Sequence, residues 1–168
     1  LAATATGEDL ARTATVIGST IRGFGMEATD GARVADVMAA SFTQSALTLE
    51  KFQTSMTKVS SVANLLGFDL EETSAIMGVL TDAGIEASIA GTSLRNIFLK
   101  LGDPSSDLAK SIGFTVNTSE DMVKEFRRMR DEGVNVEKML KIVDVRQVQA
   151  ISNMVKHIDK IEEQTEAY

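Results

Sequence analysis

The sequence predicts an all-α protein, an array of eight or nine short helices packed as antiparallel hairpins. Three observations support this: one proline in 168 residues, a composition rich in alanine and methionine, and apolar residues that recur at steps of three and four. Helices joined by short loops usually pack against their neighbours in the chain. At most one short extended segment, near 114–117, interrupts the helical pattern.

The first four predicted helices combine a periodic apolar face with terminal signals. Thr6 and Asp9 resemble a capping box before the first helix, and Gly25 follows it as a stop. The third helix ends at Gly67, and the fourth begins at Asp69 with Glu72 and closes at Gly84. The apolar faces of the first three are Leu10, Ala14, Ile17, Ile21 and Phe24; Val34, Val37, Met38 and Phe42; and Leu49, Phe52, Met56, Val59, Ala63 and Leu66.

The second half of the chain follows the same rules. A fifth helix with one apolar face ends at Gly102, and Asp103-Pro104 is predicted to cap a short helix that ends at Gly113. Two further helices begin at Thr118 and Asn135. Residues 144–168 are predicted to form one C-terminal helix that frays after Ile161, where no further apolar partner follows.

The chain is predicted to be a single helical domain, residues 1–168, excised from a longer protein. It begins with Leu1 rather than methionine, and no signal peptide is visible. The longest apolar runs, such as 97–99, are far shorter than the roughly 20 residues that span a bilayer.

The composition excludes several classes of site. The chain has no cysteine, no tryptophan and one histidine. The residues that thiolate metal sites, thiol nucleophiles and aromatic sugar-binding platforms require are therefore missing or nearly so. The net charge is -7 and both signs are interleaved, which disfavours binding to a phosphate backbone. We therefore expect no cofactor, no metal and no specific nucleic-acid binding.

The remaining candidates for chemistry are two pairs of adjacent acids and one histidine. Glu71-Glu72 and Glu162-Glu163 point about 100° apart on a helix, so neither pair can share a proton or flank one bond. His157 lies beside the apolar stripe of the last helix and is interpreted as a rim residue. The sequence therefore predicts no catalytic residue.

Two other features have structural interpretations. The basic cluster Arg127, Arg128 and Arg130 is surrounded by acidic residues, which favours a salt-bridged solvent face over a nucleic-acid patch. Gly91 falls within the apparent fifth helix, where glycine costs about 1 kcal/mol. Either a neighbouring element approaches closely there, or the helix begins only at Thr92; we predict the close approach.

The segment 80–101, LTDAGIEASIAGTSLRNIFLKL, followed by Asp103-Pro104, resembles the signature of the tape measure proteins of tailed phages. The family pattern is an apolar residue before "DAGI", a serine, "AGT.LRN", an apolar pair and a loop with proline. The matching positions are Asp82, Ala83, Gly84, Ile85, Ser88, Ala90, Gly91, Thr92, Leu94, Arg95, Asn96 and Pro104.

Weaker similarity extends the best-matched core to about residues 10–115. One departure lies near the end of this domain: the family usually has a Phe-Gly step before a small-residue helix, whereas this chain has Val143-Asp144-Val145-Arg146-Gln147. The boundary of the last helix is the part of the chain that this resemblance defines least.

The resemblance implies a structural protein of the phage tail, a folded module of a ruler that sets tail length and occupies the tail tube lumen. It implies tail tube and tail-tip proteins, tail assembly chaperones and other copies of the chain as partners. It also implies assembly in the host cytoplasm, frequent encoding by a prophage, and contact with the host envelope while DNA passes.

Two alternatives belong to other classes. A small helical peptidoglycan-cleaving domain would need two carboxylates about 5–9.5 Å apart in a cleft, usually with aromatic platforms that this chain lacks. A helical adaptor or effector would bind a partner helix in a methionine-rich groove.

Overall fold

The computed structural model describes residues 7–113 and 115–168, and this part of the chain contains ten α-helices, one 3₁₀ helix and no strand. The all-α prediction is confirmed. The α-helices are α1 (Gly7–Gly23), α2 (Gly31–Gln44), α3 (Leu49–Leu65), α4 (Leu70–Asp82), α5 (Ala87–Leu101), α6 (Asp107–Ile112), α7 (Ser119–Glu132), α8 (Val136–Leu140), α9 (Val145–Lys156) and α10 (Ile158–Ala167), and the 3₁₀ helix is Ala28–Asp30.

Local capping explains where most helices begin. The Asp69 carboxylate accepts the Glu72 N–H at 2.8 Å, and the Glu72 carboxylate accepts the Asp69 N–H at 2.9 Å, which is the predicted capping box. Thr118 and Asn135 cap α7 and α8 as predicted. Thr6, assigned to the start of the first helix, lies outside the described residues.

Helix α4 is the central helix of the fold. It is buried along almost its whole length and contacts α2, α3, α5, α9 and α10. Two of its buried threonines bond within the helix: Thr73 donates to the Asp69 carbonyl at 2.7 Å, and Thr81 to the Met77 carbonyl at 2.9 Å. One cluster of buried side chains runs from Val16 in α1 to Ile161 in α10.

The predicted cap at Asp103-Pro104 is wrong. Helix α6 begins at Asp107, and the Ser106 hydroxyl caps it by accepting the Ala109 N–H at 3.0 Å. The Ser106 N–H donates to the Asp103 carbonyl at 3.0 Å, so residues 103–106 form a turn with Pro104 in its second position. Aspartate first and proline second are favourable in such a turn, which competes with the helical interpretation.

The single C-terminal helix predicted for 144–168 is also wrong. The structure has two helices that meet at His157, where the backbone leaves helical geometry. Ile158 and Ile161 of α10 are both almost fully buried in the core. Helix α10 continues past Ile161 to Ala167, and Tyr168 packs against the core.

The segment near 114–117 and the start of α1 differ from the predictions. Thr115–Asn117 forms no strand; instead the buried Val116 donates its N–H to the Leu101 carbonyl at 2.9 Å, and Phe114 lies outside the described residues. Leu10 was assigned to the apolar face of the first helix, yet its side chain is 62% exposed. The core contact of α1 begins at Val16.

Candidate functional site

The motif residues begin at a sharp elbow between α4 and α5. The Ile85 N–H donates to the Leu80 carbonyl at 3.1 Å, and the Gly84 N–H to the Thr81 carbonyl at 3.0 Å. Gly84 has a φ of +84°, the left-handed conformation that this Schellman cap requires. Ile85 is buried directly after it, so the "DAGI" sequence reverses the chain and anchors the reversal in the core.

Asp82 ties the elbow to two distant parts of the chain. One carboxylate oxygen accepts the Ala46 N–H at 2.7 Å, in the α2–α3 loop, and the other accepts the Lys160 ammonium of α10 at 2.8 Å. The sequence identified Asp82 only as part of the motif. Its partners lie 36 and 78 residues away, so no local pattern could have indicated them.

We expect Asp82→Ala to lower the free energy of unfolding by about 1 kcal/mol, because it removes both contacts. Lys160→Met, which removes only the partly exposed ion pair, is the matched control and should cost less. Urea denaturation of the two variants measures the difference. Equal losses would contradict a contribution from the Ala46 hydrogen bond.

Gly91 lies where α5 crosses α3, the most extensive helix–helix contact of the structure. A Cβ atom at this position would stand 2.9 Å from both the Cα and the carbonyl oxygen of Ser55. These are backbone atoms of α3 and cannot move aside as a flexible side chain does. The predicted close approach is confirmed, and the helix begins at Ala87 rather than at Thr92.

The polar motif residues lie on another face of α5. Ser88, Thr92 and Asn96, spaced four residues apart, line a cleft of about 170 Å³ against Arg146 and its neighbours at the start of α9. The side chains of Thr92, Arg95 and Asn96 make no hydrogen bond or ion pair in the part of the chain that the structure describes. Their donors and acceptors are therefore available to another molecule.

On the α9 side of this cleft, polar side chains form a short hydrogen-bond network. The Asp144 carboxylate caps α9 by accepting the Gln147 N–H at 3.0 Å, and it also accepts the Gln147 side-chain amide at 3.0 Å. The side-chain Oε1 of Gln147 accepts a hydrogen bond from the Lys100 ammonium at 2.7 Å. The segment that departs from the family pattern, 143–147, thus begins a helix and joins it to the end of α5.

The motif does not converge on one site. Gly84 and Ile85 stand before α5 and Pro104 stands beyond its other end, so about 20 Å of helix separates them. Ala90, Gly91 and Leu94 are buried. The motif therefore combines packing positions with one exposed polar face.

The adjacent acids of α4 have different surroundings. Arg33 donates two hydrogen bonds of 2.7 Å to Glu71. Burial acts to raise the pKa of Glu71, but these bonds leave it below its ordinary value. Burial raises the pKa of Glu72, although Ser119 and the Asp69 N–H both donate to its carboxylate. The Glu71 carboxylate pairs with Arg33, whereas the Glu72 carboxylate accepts the Ser119 hydroxyl, so the side chains that donate to them differ.

These opposite pKa shifts predict opposite effects of neutralisation. Glu71 stabilises the fold above its ordinary pKa near 4.5 and loses this contribution as the pH falls. Glu72 stabilises the fold below that value and loses its contribution as the pH rises. At pH 7, Glu71→Gln should lower the free energy of unfolding by less than about 1 kcal/mol and so lower the thermal midpoint. Glu72→Gln should raise the thermal midpoint.

Thermal melts of both variants at neutral pH and at about pH 3 test this, since both differences should shrink in acid. Gln at position 72 still accepts the Asp69 N–H, so the capping box is retained. A lower midpoint for Glu72→Gln at pH 7 would contradict the assigned effect of burial.

The basic cluster of α7 is a salt-bridged face, as predicted. Arg127 pairs with Asp159 and Glu162, and Arg130 also pairs with Asp159. Arg128 pairs with Glu125 and Glu132 of its own helix. The sequence indicated only the acids close to the cluster along the chain. In the structure two of the partners belong to α10, so these ion pairs join α7 to α10.

The structure offers no metal site and no membrane-spanning helix among the residues that it describes. Residues 7–113 and 115–168 contain no group of three or more His, Cys, Asp or Glu placed to hold a metal ion. None of their helices is both long and apolar enough to cross a membrane. His157 is half-buried at the junction of α9 and α10, where its N–H donates to the Asn153 carbonyl at 3.0 Å.

Comparison with known proteins identifies the family. The chain is 36% identical over 110 residues to the tape measure protein of Pneumococcus phage Dp-1, a match of 66% of this chain and 10% of that protein. It is 30% identical over 92 residues to the probable tape measure protein of Escherichia phage P2, a match of 53% of this chain and 11% of that protein. The matches thus span about a tenth of the length of these curated relatives.

No solved structure matches the chain significantly. The model of the phage-related minor tail protein family matches residues 1–166. This match covers almost the whole sequence and agrees with both relatives, which confirms the resemblance to tape measure proteins. The chain belongs to the phage-related minor tail protein family.

Proposed function

We propose that this chain is a folded structural module of a tape measure protein, located in the phage tail, and that the residue count of its parent sets the tail length. The observation that carries the proposal is the family match over residues 1–166. The positions of two motif residues in the fold support it. Gly84 lies at the elbow between α4 and α5, and Gly91 lies in the contact between α3 and α5. Family membership also favours a structural role over peptidoglycan cleavage.

The proposed module contributes folded contacts rather than the measured span. An extended α-helix advances about 1.5 Å per residue, so a long helical chain converts residue number into length. Here the chain reverses after α3 and again at the α4–α5 elbow, and α5 packs back against α3. A chain that returns on itself adds little axial reach.

The proposed location is the lumen of the tail tube, after assembly in the host cytoplasm from a phage or prophage gene. Tail tube and tail-tip proteins, tail assembly chaperones and other copies of the chain are the proposed partners. The exposed polar face of α5, with Thr92, Arg95 and Asn96, is a surface available to them. Assistance to DNA passage at the host envelope is part of the same proposal.

A length series tests the ruler. Heptad-rich shaft elsewhere in the parent is deleted or duplicated in frame, and the tail length is measured in electron micrographs. Tails should change by at most about 1.5 Å per residue, the rise of an α-helix. Tails of constant length across the series would contradict the proposal.

A further inference from the structure

The cleft between α5 and the start of α9 contains a buried hydroxyl that the fold leaves without a partner. Ser93 lines this cleft and is only 4% exposed, yet its side chain makes no hydrogen bond to any residue in 7–113 or 115–168. Its oxygen keeps access to the surface, unlike the oxygen of Ser74, which also lacks a partner but is fully enclosed. The Ser93 hydroxyl is therefore open to a molecule that enters the cleft.

Several other buried hydroxyls bond within their own helices. Ser41, Thr73 and Thr81 each donate to the carbonyl four residues earlier, at 2.6, 2.7 and 2.9 Å. In the part of the chain that the structure describes, Ser93 makes no such bond to Ile89. Because a buried hydroxyl without a partner costs free energy, a ligand that bonds to it is favoured.

Other side chains of the cleft are also available as hydrogen-bond donors. They are the hydroxyls of Ser88 and Thr92, the amide of Asn96 and the guanidinium of Arg146. None of these four side chains makes a hydrogen bond or an ion pair within the described ranges. The three on α5 follow one another at intervals of four residues, so they share one face of the helix and point into the same cleft.

The carboxylate that lines the cleft is already engaged. Both oxygens of Asp144 accept hydrogen bonds of 3.0 Å from Gln147, one from its N–H and one from its side-chain amide. Lys100, which donates to the Gln147 side chain at 2.7 Å, places a second cation beside Arg146. Two cations against one engaged carboxylate make this cleft locally positive, although the chain as a whole has a net charge of -7.

We propose that this cleft, the α5–α9 cleft, binds the carboxylate of an acidic side chain that another polypeptide segment presents. Arg146 can pair with both carboxylate oxygens, and the hydroxyls and the Asn96 amide can donate to the remaining lone pairs. A volume of about 170 Å³ is below the roughly 300–1,000 Å³ of sites for larger ligands, which favours a single side chain. The inference rests on the proposed function and deepens it, since it gives the polar face of α5 a chemical preference.

An NMR titration of the isotopically labelled 168-residue chain tests the site. The two probes are the N-acetylated α-amides of glutamate and of glutamine, which differ only in the charge of the side chain. Each is added at constant ionic strength up to about 100 mM, because a ligand with so few atoms binds weakly. The backbone amide signals of Ser93 and Gln147 should shift and saturate with the glutamate probe, and the glutamine probe should bind about tenfold more weakly.

Three variants assign the binding to particular side chains. Arg146→Gln should weaken binding of the glutamate probe about tenfold, and Ser93→Ala about threefold. Neither change removes a hydrogen bond between described residues, so both variants should keep the thermal midpoint of the wild type. Arg22→Gln on α1 is the matched control, because it removes the same charge outside the cleft and should bind the probe as the wild type does.

The assignment of a carboxylate site is wrong if the two probes bind with equal affinity, if neither gives a saturable shift, or if inorganic phosphate binds more tightly than the glutamate probe. Unchanged affinity in Arg146→Gln or in Ser93→Ala would also contradict it, as would an equal loss in Arg22→Gln. None of these results would alter the relation between parent length and tail length, so failure of this inference is distinguishable from failure of the proposed function.

Discussion

Replacing Gly91 with leucine is expected to lower the free energy of unfolding by about 1–3 kcal/mol through overpacking. The backbone of Ser55 lies within 2.9 Å of the position that a Cβ atom would take, so α3 and α5 must separate to admit any side chain. Gly91→Ala should also destabilise the fold, although alanine is the better helix former by about 1 kcal/mol. Chemical denaturation at neutral pH measures both effects.

Gly18→Ala is the matched control for this prediction. Gly18 is also inside a helix, but its nearest contact to an added Cβ would be the mobile end of Arg22 at 3.4 Å. This variant should gain up to about 1 kcal/mol, because only the intrinsic preference of the helix for alanine applies. If Gly91→Ala raises the denaturation midpoint as Gly18→Ala does, the glycine is merely tolerated and the packing account is wrong.

Features that depend on neighbouring residues could be predicted from the sequence. The capping box of Asp69 and Glu72 and the glycine stop at Gly84 need only a few consecutive residues, so their signals are local. The close approach at Gly91 could be predicted because glycine is unfavourable inside a helix, so its presence there indicates a packing constraint. The sequence did not indicate that α3 would be the element approaching it.

Features that depend on distant partners could not be predicted. Asp82 bonds to Ala46 and Lys160, and Arg130 pairs with Asp159 of another helix. These contacts arise only when the array is assembled. The break at His157 could not be predicted either, because the apolar stripe continues through it without interruption.

The exposed surfaces were the least accessible to sequence reasoning. Val136 and Leu140 continue the helical pattern and therefore look like core positions, yet both are about half exposed. Leu10 shows the same discrepancy at the other end of the chain. Periodicity identifies the apolar face of a helix but not whether another element covers it.

Deletion of residues 49–113 from the parent protein is expected to abort tail assembly or abolish infectivity. The deletion removes α3 to α6, and with them the central helix α4 and the main partner of α9. Buried side chains of the remaining helices, such as Val37 and Met38 of α2 and Ile151 of α9, would be exposed to solvent. Contiguous apolar surface of this kind promotes aggregation and leaves the module unable to make its contacts.

The matched control removes a stretch of equal length, about 65 residues, from heptad-rich shaft elsewhere in the parent. It should leave viable phage whose tails are shorter by at most about 100 Å, at the rise of an α-helix. The two deletions are equal in residue count and differ only in whether the removed residues belong to the folded module.

Electron micrographs of particles from the two deletions test the central claim most directly. We predict shortened but complete tails from the shaft deletion, and no functional tails from the deletion of 49–113. Viable virions whose tails shorten in proportion to the deletion of 49–113 would contradict the account, because this region would then be extended shaft rather than a folded module.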